Sequence, residues 1–397
     1  AVARPNGRRR FGDLVTSTPM YDAIIVGARC AGSPTAMLLA RQGHNVLVVD
    51  RAEFPSDTFS THFVTSAGTA LLVRWGAADP LAARGVPFFD HVLLNVAGNV
   101  MNTSDVFGPT NVCSPRRTDL DITLRDMAID AGAEVRMQTS VTELLRDDSG
   151  RVTGVALRDA DGSVSQETAQ VVIGADGRTG IVGRSVEAAC RDEHEIRGTG
   201  LYAYFDDFEY TTEAAATVDG AFLFAFPTGP RSACVGTEVD RAHEETVHAD
   251  PEAAFWERIS LDPDLAVRVK AATRDGRWRI GELPTGWFRR AAGPGWALVG
   301  DAACLKDPLL GHGITDAFVG AELLAAAVHE GLAGDLDASL ARYDEALWRD
   351  LRPIYEASRD AALSFEKSGD ELFAAIMPAQ LLISEETERV VAGGPTL

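Results

Sequence analysis

At 397 residues, 46% hydrophobic and 24% charged, the chain has the balance of an ordinary soluble globular protein and room for two interleaved domains plus a terminal extension. Its formal net charge of −21 and pI near 4.8 argue against nucleic acid or an anionic membrane as partners. Five cysteines (Cys30, Cys113, Cys190, Cys234, Cys304) form no CxxC pair and no regular spacing, which argues against a disulfide framework and against a zinc site, and suits a reducing cytoplasm; no metal is expected.

The first 19 residues carry Arg4 and Arg8 to Arg10 without an apolar run, so the expectation is a disordered start and no secretory signal. Tyr21 begins a β-branched run to Gly27 that reads as a buried strand. A helix is expected over 33–42, stopped by Gly43, and a second strand over 45–50. Strand, glycine turn, helix and strand within about 30 residues make a βαβ unit of the doubly wound type. A helix over 120–131, a strand over 134–138, a hairpin over 141–158 and a strand over 170–174 follow.

Strands then dominate 198–239. Tyr202, Tyr204, Phe222, Phe224 and Phe226 alternate there, and a period of two places them on one face of a sheet. The last buried strand is expected over 296–300, and helices over most of 315–376. The apolar stretch 314–332 is interrupted by Asp316 and Glu322 and reads as a buried or amphipathic helix, so no stable membrane insertion is expected.

The turn Gly27-Ala28-Arg29-Cys30-Ala31-Gly32 lies between strand and helix, as in a dinucleotide fingerprint. Gly27 makes the tight turn, Gly32 lets the helix pack on the strand, and the helix N-terminus faces a pyrophosphate. Asp50, 18 residues after Gly32, stands where an acid holds ribose hydroxyls. Arg29 departs from the fingerprint, because a side chain there crowds the pyrophosphate unless it turns aside or pairs with phosphate.

Two further segments resemble motifs of flavoprotein hydroxylases. Residues 171–182, around Asp176-Gly177, resemble their "DG" segment, and residues 298–303, around Gly300-Asp301, their "GD" segment. A strand-end aspartate such as Asp301 can accept a hydrogen bond from a ribityl hydroxyl. Pro308, Gly311, His312 and Gly313 lead into a helix whose N-terminus would favour the negative charge of a reduced flavin.

Together these residues resemble the FAD-dependent class A (aromatic hydroxylase-like) monooxygenase superfamily, which also includes geranylgeranyl reductases and tryptophan halogenases. The resemblance covers roughly residues 21–332. It implies an α/β fold: a Rossmann-type FAD-binding domain interleaved with a β-sheet substrate domain, plus C-terminal helices. The expected division is 1–19 disordered, 20–75, 113–188 and 281–332 FAD-binding, 76–112 and 189–280 substrate-binding, and 333–397 helical.

Residues 50–58, including Asp50 and Arg51, are similar to the segment that leads over the flavin. Residues 117–124 resemble the "RxxLDxxL" segment, whose arginine, here Arg117, lies against FAD. Cys304 departs from the pattern, standing where a histidine commonly follows GDAA. No second glycine fingerprint exists for a nicotinamide domain, and the resemblance implies transient reduction of FAD by NADPH or NADH.

The reaction implied is oxygenation of a small, aromatic-type substrate through a flavin C4a-hydroperoxide, with O2 as co-substrate. His62, on the segment expected near the isoalloxazine, is the first choice for an acid/base residue, against the alternative of a histidine satisfied by backbone groups; His312 is the second, against the alternative that its backbone matters more than its ring. The aromatic strand face (Tyr202, Tyr204, Phe222, Phe224, Phe226) is the expected roof of the substrate cavity, against the alternative of plain sheet core. The halogenase WxWxIP signature is absent. A reductase of a prenyl or other unsaturated substrate shares the same flavin motifs and is the alternative; a flavin-binding protein without turnover is the third class.

Overall fold

The computed structural model describes residues 20–393 apart from 97, 210–211, 217–221, 283–284, 364–366 and 368. The expected disorder of residues 1–19 lies outside the described residues.

The first sheet follows the order Ala292–Gly293, Trp296–Leu298, Val164–Gly174, Tyr21–Val26, Val46–Val49, Glu134–Arg136. Its four central pairings are parallel. A parallel sheet needs crossover helices that cover both faces, so its strands read as unbroken apolar runs. Ala23, Ile24, Ile25, Val171, Val172 and Ile173 are all fully buried. Helices Gly32–Arg41, Arg117–Asp130 and Gly313–Leu332 pack into the same core. The expected hairpin forms as Ser140–Arg146 and Val152–Arg158, and pairs antiparallel with the first half of Val164–Gly174.

The second sheet has seven strands in the order Thr273–Glu282, Gly198–Asp206, Ser232–Asp240, Phe222–Gly229, Glu213–Ala216, Leu93–Val96, Asn99–Asn102. The alternation read from the sequence holds. Leu201, Ala203, Phe205, Leu223 and Ala225 share one face with Phe255, Ile259 and Leu265. Tyr202, Tyr204, Phe224 and Phe226 share the other with Phe59, Phe63, Leu372 and Ile376. The helices behind the first face, Pro251–Ile259 and Pro263–Ala271, have no counterpart in the sequence reading. Asp250 and Asp262 cap them through Ala253 and Leu265 N–H, each followed by proline in the first turn; such a cap contributes about 1 kcal/mol.

Two long helices close the chain, Leu336–Ala362 and Gly369–Ala392, the second well beyond the expected end near residue 376. Among the described residues, no helix is long and apolar enough to cross a membrane.

Candidate active site

A cleft of about 840 Å³ opens at the C-terminal ends of the first sheet's parallel strands. Eight of the sequence-predicted cofactor residues line it: Gly27, Arg29, Asp50, Arg51, Arg117, Asp176, Gly300 and Asp301. Asp50 holds the turn in place. Its Oδ2 accepts the Ala28 N–H and its Oδ1 the Ala52 N–H, both at 2.8 Å. Gly32 does not face the cleft. A Cβ there would lie 1.8 Å from the Gly27 carbonyl oxygen, so its task is helix-on-strand packing.

Arg29 turns aside rather than across the cleft. Its Nη1 is 2.8 Å from Asp121 Oδ2, and its Nη2 donates to Ser56 Oγ at 2.6 Å. Asp121 also receives Nε and Nη2 of Arg117, so one buried carboxylate holds both arginines. Sequence reading noted Asp121 only as part of a motif; its spacing of four from Arg117 on a helix was the available signal. Arg178 and Arg184 bring the arginines lining the cleft to five, against Asp50, Asp176 and Asp301. A chain of net charge −21 thus places a cationic excess here.

Asp301 opens onto the cleft while protein atoms surround the rest of it. That burial pushes its carboxyl above the usual range, with Arg117, Lys306 and Arg178 pulling it back. Asp176 accepts the Val182 N–H at 3.0 Å through Oδ2, and its Oδ1 has no hydrogen-bond partner among the described residues. Burial pushes the Cys30 thiol up to about 11, so no thiolate lines the cleft there at neutral pH.

Residues 58–63 divide the cleft from a second, apolar cavity. Thr58 and Phe59 line the cleft, Thr61 and Phe63 the cavity. The Phe59 ring lies on bare backbone, since a Cβ at Gly200 or Gly281 would meet it at 2.7 or 2.1 Å. His62 has φ +66°, a left-handed conformation rare for a side-chain-bearing residue. Its ring points into the sheet, fully buried, with Nε2 2.7 Å from Tyr204 Oη. Burial first, then Arg117, Arg116 and Arg279, hold its pKa well below 6.5. It lines neither cleft nor cavity. Tyr202 and Tyr204 pack against it, and Tyr202 Oη accepts the Ser60 N–H.

The cavity, about 120 Å³, is walled by Phe222, Phe224 and Phe226 on the sheet and by Pro308, Leu309 and Gly311 on the loop after Asp301. Three of the five predicted substrate aromatics therefore face it and two do not. Pro308 and Gly311, expected at the cofactor, are cavity residues. Gly313 opens its helix with free space around its Cα, and neither lining includes it. The C-terminal helix covers the cavity with Ile376, Gln380, Ile383 and Thr387.

His312 fixes that helix. Its Nδ1 is 2.8 Å from Asp316 Oδ1 and its Nε2 2.8 Å from Glu386 Oε2, with the Lys306 ammonium on Asp316. All four side chains are buried, and the cluster joins the cavity loop to the C-terminal helix. The sequence reading singled out His312, but not the Glu386 side chain that completes its pairing.

A family model described as FAD binding domain matches residues 20–346. The chain belongs to this FAD-binding family. It is 30% identical to menaquinone reductase of Mycolicibacterium smegmatis over 311 residues, 74% of this chain and 72% of that protein. It is 28% identical to digeranylgeranylglycerophospholipid reductase 2 of Methanopyrus kandleri over 394 residues, 94% of this chain and 93% of that one. In fold it resembles PqsL of Pseudomonas aeruginosa, solved in complex with 2-aminobenzoylacetate, with a TM-score of 0.79, 22% identity and coverage of 90% and 99% of the two chains. The protein is an FAD-dependent oxidoreductase.

The cleft fits FAD on its own geometry. The helix Gly32–Arg41 starts at Ala31 with no side-chain cap; Ser33 N–H donates to the Arg29 carbonyl at 3.0 Å and Pro34 carries no N–H, so the Gly32 N–H and the positive end of the helix dipole are what this turn offers a pyrophosphate. A Cβ at Gly300 would meet Ala31 Cβ at 2.8 Å, which keeps that rim bare. Asp50 and Asp301 both line the cleft, suited to the ribose and ribityl hydroxyls of the cofactor, and the arginines offset its phosphates.

Proposed function

We propose that the protein is an FAD-dependent reductase of carbon–carbon double bonds in an isoprenoid-type chain, with NADH or NADPH as the electron source. The observation that carries this reading is the form of the cavity. Its wall on the C-terminal helix runs from Ile376 to Thr387, about 16 Å at the rise of an α-helix. An apolar wall of that length suits an extended chain. The names of the two reductases to which the chain is similar, of menaquinone and of a digeranylgeranyl lipid, support the same reading.

When bound, FAD supplies hydride. The chain's own residues hold the substrate between Phe222, Phe224 and Phe226 and the C-terminal helix, where residues 58–63 run from the cofactor cleft to the cavity. Oxygenation of a small aromatic substrate is the second reading, favoured by the three phenylalanines on the cavity wall.

Turnover with menaquinone and with a geranylgeranyl lipid, under argon and under oxygen, separates the two. The reductase reading expects a product with one carbon–carbon double bond fewer in its isoprenoid chain, in both atmospheres. A product carrying one new oxygen atom, formed only with O2, supports the second reading.

A further inference from the structure

Among the described residues lining the apolar cavity, Glu238 carries the one charged side chain. It stands on strand Ser232–Asp240, in register with Phe222 on one neighbour and Gly200 on the other. It therefore shares the inward face of the phenylalanines. Room for its carboxyl comes from Gly198, where a Cβ would lie 1.7 Å from Glu238 Oε1. Glu238 is 3% exposed and Asp307 1%, and the two carboxyls are close enough to act on each other directly.

Two neighbouring carboxyls buried together repel each other when both are ionised, so one of them keeps a proton. The surroundings decide which. Asp307 accepts backbone N–H groups from Leu309 at 3.2 Å and Arg197 at 3.4 Å, which favours its ionised form. No such donor reaches Glu238, whose Oε1 has no hydrogen-bond partner among the described residues. Nearby cations have other partners. The Lys306 ammonium sits on Asp316, and the Arg197 guanidinium donates to Asp240 at 2.7 Å. Burial and the Asp307 charge hold Glu238 well above the carboxylate range, while burial lifts Asp307 to about 6.

We propose that Glu238 is the acid that protonates the substrate in this cavity, and that Asp307 shares and returns its proton. This role rests on the reductase reading. With FAD bound to supply a hydride to one carbon of the substrate double bond, Glu238 would give its proton to the other. The π bond would break as two C–H bonds form, the flavin would supply the electron pair, and Glu238 would be left as a carboxylate. A solvent proton passed through Asp307 restores the acid.

Glu238→Gln in the FAD-loaded protein tests this in two ways. Substrate-free infrared spectra should show a protonated-carboxyl C=O band at neutral pH that shifts in D2O and vanishes in the variant. Flavin reduction by NADPH or NADH should be unchanged, while anaerobic reoxidation by a geranylgeranyl lipid slows by about 10²–10⁴-fold, the range for general acid catalysis. Glu238→Asp should recover part of that loss and serves if the glutamine variant loses FAD. Wild-type turnover in D2O should place one solvent deuterium in the product. A Glu238→Gln protein that reoxidises at the wild-type rate, or that keeps the band, overturns the proposal. Wild-type flavin that menaquinone and a geranylgeranyl lipid both fail to reoxidise anaerobically overturns the reductase reading itself, a result visible before any variant is made.

Discussion

The His62 imidazole lies 2.7 Å from the Tyr204 phenol oxygen, and this pairing turns it away from both the cofactor cleft and the apolar cavity. The Arg116 guanidinium lies over the Tyr204 ring, 3.9 Å from its centroid. With its pKa held well below 6.5, first by burial and then by three arginines, His62 is neutral in the folded protein.

His62 should therefore act on stability rather than on the chemical step. Its unfolded form binds a proton below about pH 6.5 and its folded form does not. Stability then falls as pH drops below that value. His62→Asn, which keeps a residue type tolerant of positive φ, should flatten this part of the pH–stability curve and leave flavin reduction by nicotinamide intact. Denaturant unfolding across the acid range checks this. A collapse of product formation with unchanged flavin reduction would return His62 to the acid/base role expected from the sequence.

Arg29 should matter less to FAD than its place in the turn suggests, because its guanidinium is committed to Asp121 and Ser56. Arg29→Ala should weaken FAD binding by a similar small factor at low and high salt. A loss confined to low salt would show that the side chain meets phosphate in the loaded protein.

Asp301→Ala should weaken FAD retention by about 1–3 kcal/mol, the range for a lost charged hydrogen bond. Equilibrium flavin release measured by fluorescence provides the check. Unchanged affinity would remove Asp301 from the ribityl contact.

The cofactor half was largely legible in the sequence because its signals are local. A strand, a glycine turn and Asp50 lie within 30 residues, and the DG and GD turns sit at strand ends. The substrate half was less so. A period of two correctly placed five aromatics on one face, but what covers each is set by distant segments. Residues 58–63 and Arg116 cover Tyr202 and Tyr204, while the C-terminal helix leaves a cavity over Phe222, Phe224 and Phe226. Glu238 belongs to the same period as Cys234 and Gly236, yet its meaning depends on Asp307, 69 positions away.

The C-terminal helix should loosen when its buried ion cluster is cut. Glu386→Ala leaves His312 and Lys306 with one carboxylate, Asp316; breaking a buried pair costs about 3–5 kcal/mol. The expected outcome is faster amide exchange over residues 369–392 and a higher KM for the apolar substrate, with FAD still bound. Unchanged exchange would mean that apolar packing alone holds the helix.

The most direct test of the account is a single anaerobic turnover. Flavin reduced by one equivalent of NADPH or NADH is mixed with menaquinone in one syringe and with aerated buffer in another, and oxidation is followed by absorbance. The account predicts fast reoxidation by the isoprenoid substrate without oxygen, with one double bond reduced per flavin. Reoxidation that requires oxygen, leaving every double bond of the isoprenoid chain intact, would contradict it.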